Sequence, residues 1–235
     1  MEGNISERKK GLFSMLAAYT AWGVLPVYWK TLQDVPALTI LCHRVAWSVL
    51  FVGILLVANR RLGNLKGLLA EKRILLLLGC SSLMIGANWL IYIWAVNEGK
   101  ILETALGYYI NPLLNVFIGV TFLRDRLKPL QWAAIGLAAA GVALQVAFLG
   151  RLPAVALGLA VSFSLYGLLR KVIPVDALSG LFVETLVLLL PALAWLFLGA
   201  GTLPPGSGEG ARNALLAGTG RVTSLPLIWF AYGAR

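Results

Sequence analysis

Residues 36–58 read PALTILCHRVAWSVLFVGILLVA, and the only formally charged residue among them is Arg44, with His43 beside it. A helix of that length rises about 1.5 Å per residue and just covers a hydrocarbon core of roughly 30 Å. The run is too long and too evenly apolar for one face of a soluble helix, so it is expected to cross a membrane. Seven further runs have the same character: 11–30, 73–95, 101–123, 129–149, 153–169, 178–199 and 211–232. The sixth span in chain order is short, and the eighth is interrupted by Arg221 and Pro226. Between the spans lie turn-forming breaks: Asp34-Val-Pro36, Asn97-Glu-Gly99, Lys128-Pro129, Gly150-Arg-Leu-Pro153 and Pro204-Pro-Gly-Ser-Gly208. A β-barrel needs strict two-residue alternation, which these continuous runs lack. The expected fold is therefore all-α: a polytopic membrane bundle with eight transmembrane helices.

Composition agrees. Of 235 residues, 59% are hydrophobic and 13% are charged, with mean hydropathy +0.83. A soluble domain carries about 25% charged residues, so lipid must be the solvent for most of this surface. The net charge of +10 is spread between spans and not gathered in one patch, which argues against nucleic acid as a partner. Basic residues crowd one set of alternate breaks (Arg8-Lys9-Lys10, Arg60-Arg61, Lys72-Arg73, Arg124, Arg126, Lys128, Arg170-Lys171) and thin out on the other (Lys30, Lys100, Arg151, Arg212, Arg221). This bias places the N-terminus in the cytoplasm. Arg8-Lys9-Lys10 followed by an apolar run has the outline of a signal peptide. The run is long, contains Pro26 and lacks a small-residue cleavage site, so it is expected to stay as the first span. Cys42 and Cys80 fall inside spans, with no spacing for a metal or disulfide.

Several polar residues lie inside apolar runs, where they are costly unless a pathway or partner receives them. Arg44 is eight residues from Pro36, which puts its backbone ~12 Å deep. An arginine there costs roughly 2.5–3.5 kcal/mol on insertion scales. It either binds a polar or anionic substrate group or snorkels outward to hold helices together. His43 is equally open between proton carrier and interhelical hydrogen bonder. Glu184, about six residues inside span seven, is expected to pair with Arg44, carry a proton or remain a neutral hydrogen bonder.

In span four, Thr104, Tyr108, Asn111 and Asn115 fall within about 60° on a helical wheel, and Pro112 is expected to break the helix beside Asn111. A polar cavity wall or a packing seam with Gly107 and Gly119 both fit. Trp22, Pro26 and Trp29 share a face of span one, with Trp29-Lys30 read as an interface anchor and Trp22 as a cavity candidate. Asn88 and Trp89 of span three pose the same choice, with Asn88 and Tyr92 one turn apart.

A short internal echo adds organisation. Trp22-Gly23 before Lys30 is matched by Tyr166-Gly167 before Arg170-Lys171, and Asn88 to Trp94 by Ser224 to Trp229. The spacing implies a five-helix unit, which inverts on repetition as in many secondary transporters. The expected halves are residues 1–150, a first five-helix repeat, and 151–235, a second with three helices and two missing. No Walker loop, H-E-x-x-H or G-x-S-x-G is present, so an enzyme is not expected.

Four stretches carry a resemblance: Ala18-Tyr-Thr-Ala-Trp-Gly23, His43-Arg-Val-Ala-Trp-Ser48, Gly86-Ala-Asn-Trp-Leu90 with Trp94-Ala-Val-Asn97, and Glu103-Thr-Ala-Leu-Gly-Tyr-Tyr-Ile-Asn-Pro112. They resemble the RarD branch of the EamA family in the drug/metabolite transporter superfamily. The resemblance implies ten helices in two inverted repeats around a central cavity, in a secondary transporter of the bacterial inner membrane, mostly an exporter. The substrate-binding residues expected on this basis are Trp22, His43, Arg44, Asn88, Trp89, Tyr108, Asn111, Tyr166 and Glu184. Expected partners are the lipid bilayer and a small-molecule substrate, with a homodimer left open; no cofactor or metal is expected. The alternative is a non-transporting membrane subunit or an inactive fragment, because helices nine and ten of the family pattern are absent from this sequence.

Overall fold

Each of the eight apolar runs is a helix in the computed structural model, which describes residues 2–122, 124–198 and 209–233. In chain order these are α1 (Glu2–Lys30), α2 (Ala37–Ala58), α3 (Leu62–Ala70), α4 (Lys72–Asn97), α5 (Ile101–Phe122), α6 (Pro129–Leu149), α7 (Ala154–Val172), α8 (Ala177–Phe197) and α9 (Glu209–Gly233). The addition is α3, nine residues taken from sequence as a break. Its leucines at 62, 65, 68 and 69 follow helical spacing and bury Leu65, but it is far too short to span a bilayer. Among the described residues, seven helices are long and apolar enough to cross a membrane: α1 from Lys10, α2, α4, α5, α6, α7 and α8. The eighth expected span, α9, is 25 residues long but carries Arg212, Arg221, Thr219, Thr223 and Ser224, which lower its hydropathy. The Pro204 to Gly208 break lies outside the described residues.

Local chemistry sets the helix ends. Pro129 occupies the first turn of α6, where its missing N–H costs nothing. Gly150 closes α6 with φ +64° and donates its N–H to Val146 and Ala147 carbonyls, a left-handed cap that glycine adopts without steric strain. Pro112 does not break its helix, contrary to expectation: α5 runs on through it. Pro26, Pro191 and Pro226 are likewise carried inside helices. Packing neighbours in a membrane bundle can satisfy the freed backbone groups.

Asp176 caps α8, its Oδ1 accepting from the Ser179 N–H at 3.1 Å and from Arg61 Nη1 at 3.2 Å. Burial pushes this carboxyl up, but the Ser179 hydrogen bonds and Arg61 outweigh it and hold Asp176 below the usual aspartate value. A depressed carboxyl contributes stability above its unfolded pKa, and that contribution is lost as pH falls through the folded one. Asn still caps the helix but loses the charge facing Arg61, so Asp176→Asn should lower the detergent melting temperature at pH 6–7 by an amount corresponding to about 0.5 kcal/mol. The gap to wild type should close as pH drops below the ordinary aspartate range; an unchanged gap at pH 3 would disprove the assignment.

The chain forms two compact units, Met1–Gly79 with Val175–Arg235, and Cys80–Pro174, the first boundary falling inside α4. In the first unit α2 packs on α8 and α9, and α1 on α9. Thr39 meets Trp195 and Gly53 faces Phe182, so α2 and α8 are antiparallel, closing over Cys42, Val45 and Ala192. In the second unit Gly107 faces Ala156 and Leu159, and Asn111 faces Ala160 and Ser164, so α5 and α7 run parallel. Leu106, Ile110, Ala156 and Ala160 form that unit's core. These packing units interleave the expected halves 1–150 and 151–235 and do not measure the sequence repeat.

α6 contains no buried residue, and Phe148 is 90% exposed. An apolar helix bare on this scale belongs in hydrocarbon, and the protein is a multi-pass membrane protein.

Candidate functional site

The expected site residues divide between the units. Trp22, His43, Arg44 and Glu184 belong to the first, and Asn88, Trp89, Tyr108, Asn111 and Tyr166 to the second.

In the first unit Arg44 is 5% exposed, although its charge would favour water. Its guanidinium carbon stands 5.2 Å from the ring centroid of Trp29 on the last turn of α1. That is within cation–π range, and a desolvated contact of this kind is worth about 2 kcal/mol. Helical side chains lean toward the N-terminus, so Arg44 reaches toward the turn joining α1 and α2, where Trp29 waits. Trp29 is thus not the interface anchor expected from sequence: it is fully buried. Among the described residues its indole N–H has no hydrogen-bond partner.

Glu184 on α8 is 0% exposed. Thr39 pairs with Trp195 and Gly53 with Phe182, so facing residue numbers on α2 and α8 sum to about 234, and Glu184 is level with about residue 50. The backbones of Arg44 and Glu184 are offset by about six residues, ~10 Å along the axis. Around this level lie buried hydroxyls that are not among the site residues expected from sequence: Ser48 on α2, and Thr223 and Ser224 on α9. None of the three has a hydrogen-bond partner among the described residues. Gly220 brings α9 onto α2 so closely that a Cβ there would lie 2.5 Å from the Trp47 carbonyl oxygen and 2.7 Å from the Ser48 nitrogen. Tyr28 on α1 donates its hydroxyl proton to the Leu215 carbonyl, tying α1 to α9. His43 is half-buried, and Trp22, also half-buried, stacks edge-on against Tyr19 at 5.5 Å.

In the second unit two asparagines grip α7. Asn88 on α4 donates to the Leu159 carbonyl at 3.0 Å and to Ser162 Oγ at 3.0 Å. Asn111 on α5 donates to Ser164 Oγ at 3.0 Å and to the Ala160 carbonyl at 3.4 Å, while its own oxygen accepts from Asn115 at 2.9 Å. Both amides thus take part in packing, and the serines of α7 are the partners that sequence did not name. Of the expected stripe, Thr104 is buried and bonds back to the Ile101 carbonyl, whereas Tyr108 is exposed, its ring edge-on to buried Tyr92 at 6.2 Å. Trp89 is buried, and Tyr166 is half-buried beside Phe163.

At one end of this unit a pocket of about 290 Å³ opens between the ends of α4, α5 and α7. Arg151 Nη2 meets Glu103 Oε1 there at 2.5 Å, and Lys100 Nζ lies 4.2 Å from the centroid of Trp94. Among the described residues no group of three or more His, Cys, Asp or Glu side chains that could hold a metal ion comes together.

Residues 9–147 match the EamA-like transporter family. The chain is 46% identical over 232 residues to an uncharacterised transporter of Vibrio cholerae, covering 97% of this chain and 76% of that protein. It is 44% identical over 230 residues to the protein RarD of Salmonella typhi, covering 97% of this chain and 78% of the relative. With the chloramphenicol-sensitive protein RarD of Pseudomonas aeruginosa it shares 38% identity over 192 residues, 80% of this chain and 64% of the relative. No solved structure matches the chain.

Proposed function

Because the chain belongs to the EamA-like transporter family, we propose that it is a secondary transporter of the bacterial inner membrane, exporting a small metabolite or drug by alternating access. The observation that carries this reading is the burial of Arg44 and Glu184 in apolar α2 and α8, which pack together. Ionisable groups at membrane depth are expensive to keep, and substrate or proton pathways are where they recur. Trp29 supplies Arg44 with an aromatic face, and the buried hydroxyls of Ser48, Thr223 and Ser224 offer further polar sites on the adjoining surfaces of α2 and α9. The excess of basic residues at alternate breaks supports a cytoplasmic N-terminus.

One relative's name supplies a probe. Proteoliposomes containing this chain should move labelled chloramphenicol down an imposed gradient faster than empty liposomes. Arg44→Ala and Glu184→Gln should each slow that flux at least tenfold per folded protein, and Arg44→Ala should also lower the detergent melting temperature by several degrees through loss of the Trp29 contact. If both variants transport at the wild-type rate, these residues are not the site. Loss of folding in step with flux would assign the two charges to holding helices together.

A further inference from the structure

The pocket at the end of the second unit lies outside the residues assigned to transport above. Its apolar lining is Ile91, Trp94, Leu152, Ala154 and Val155, and its polar groups are Lys100, Glu103 and Arg151. Glu103 is nearly buried, 7% exposed, and is neutralised by Arg151 at 2.5 Å. Arg151 itself is 63% exposed, lines the pocket, and among the described residues has one guanidinium nitrogen engaged, by Glu103. Lys100 has no acidic partner among the described residues; its ammonium lies over the Trp94 ring. The local balance is therefore one positive charge in excess, mounted on an apolar wall. About 290 Å³ is at the small end of ligand cavities, room for one ring or a short chain.

We propose that this pocket binds a small organic anion with an apolar body, its acidic group held by Lys100 and Arg151 and its body lying against Trp94, Ile91 and Val155. A guanidinium edge and an ammonium together suit a carboxylate or phosphate, whereas a cationic or neutral ligand would leave Lys100 uncompensated. The same chemistry belongs to a free carboxylate and to the head of an anionic lipid.

The test uses the full chain in detergent, titrated calorimetrically with benzoate, benzamide and benzylamine. Benzoate should bind and benzylamine should not. Lys100→Gln with Arg151→Gln should weaken benzoate at least tenfold. Glu103→Gln should tighten it several-fold by freeing Arg151, a gain that a folding defect does not produce. In a second arm the chain is placed in nanodiscs of phosphatidylcholine with or without phosphatidylglycerol. Benzoate binding displaced by phosphatidylglycerol identifies the lipid as occupant, and binding that persists identifies a soluble anion. Equal affinity for benzylamine, or neither benzoate nor phosphatidylglycerol depending on Lys100 and Arg151, would overturn the proposal.

Discussion

Gly220→Val is expected to remove most of the folded protein from the membrane. A Cβ at this position overlaps the backbone of Trp47 and Ser48, and backbone cannot rotate away as a long side chain does. Either α9 withdraws from α2, exposing Leu216, Thr219, Thr223 and Ser224 along its buried stripe, or both helices bend. Overpacking typically costs about 1–3 kcal/mol, and a clash against main chain belongs at or above the top of that range. The comparison is Gly167→Ala in α7, where an added Cβ meets nothing within 4 Å. Gly167→Ala should be neutral or slightly stabilising, because alanine is the better helix former. Membrane abundance and the melting temperature in detergent read both variants. Equal behaviour of the two would mean that α9 has room for a side chain between Gly220 and the Trp47–Ser48 backbone.

The second large effect is expected from Asn88→Leu with Asn111→Leu. Leucine keeps the branched four-atom outline of asparagine while removing its donors and acceptor, so the pair tests chiefly hydrogen bonding. Each replacement removes amide bonds to one α7 carbonyl and one α7 serine. Interhelical hydrogen bonds in membranes average about 0.6 kcal/mol and reach about 1.7, and each amide here makes two. The double variant should lose about 2–3 kcal/mol, seen as a lower melting temperature and as earlier proteolysis around α7. Each single change should cost roughly half. An unchanged melting temperature would mean that apolar contact between Gly107 and Ala156 holds α7 without the amides.

Helix identity was legible because it depends on local pattern. A continuous apolar run of about 20 residues has one good solution in lipid, and turn residues such as Gly150 and Pro129 mark its ends by their own backbone preferences. α3 escaped because nine residues with four leucines give too short a signal beside the spans that flank it. The burial of Trp29 escaped for a different reason. Tryptophan beside lysine at a helix end has the composition of an interface anchor, and only the approach of Arg44 from the next helix makes it a core residue. Asn88 and Asn111 were recognisable as polar groups in need of partners. That the partners are Ser162 and Ser164 depends on which helix lies alongside, and pairing across 74 and 53 residues leaves no local trace. Gly220 was likewise invisible: a glycine at a near-contact and a glycine in open space look the same in a string.

One further consequence attaches to α6. α5 and α7 lie parallel and α6 connects them, so the chain must be carried back across the bilayer before α7 can begin on the same side as α5. At ~1.5 Å per residue, the 21 residues of α6 travel ~31 Å, close to the thickness of the hydrocarbon core. No residue of α6 is fully buried, and only Val142 and Val146 lean on the core between α5 and α7, so α6 acts as a return stroke whose reach is fixed by geometry while most of its side chains answer to solubility in lipid. It is specified by how far it goes more than by what it touches, and along this helix drift among apolar residues meets the least resistance.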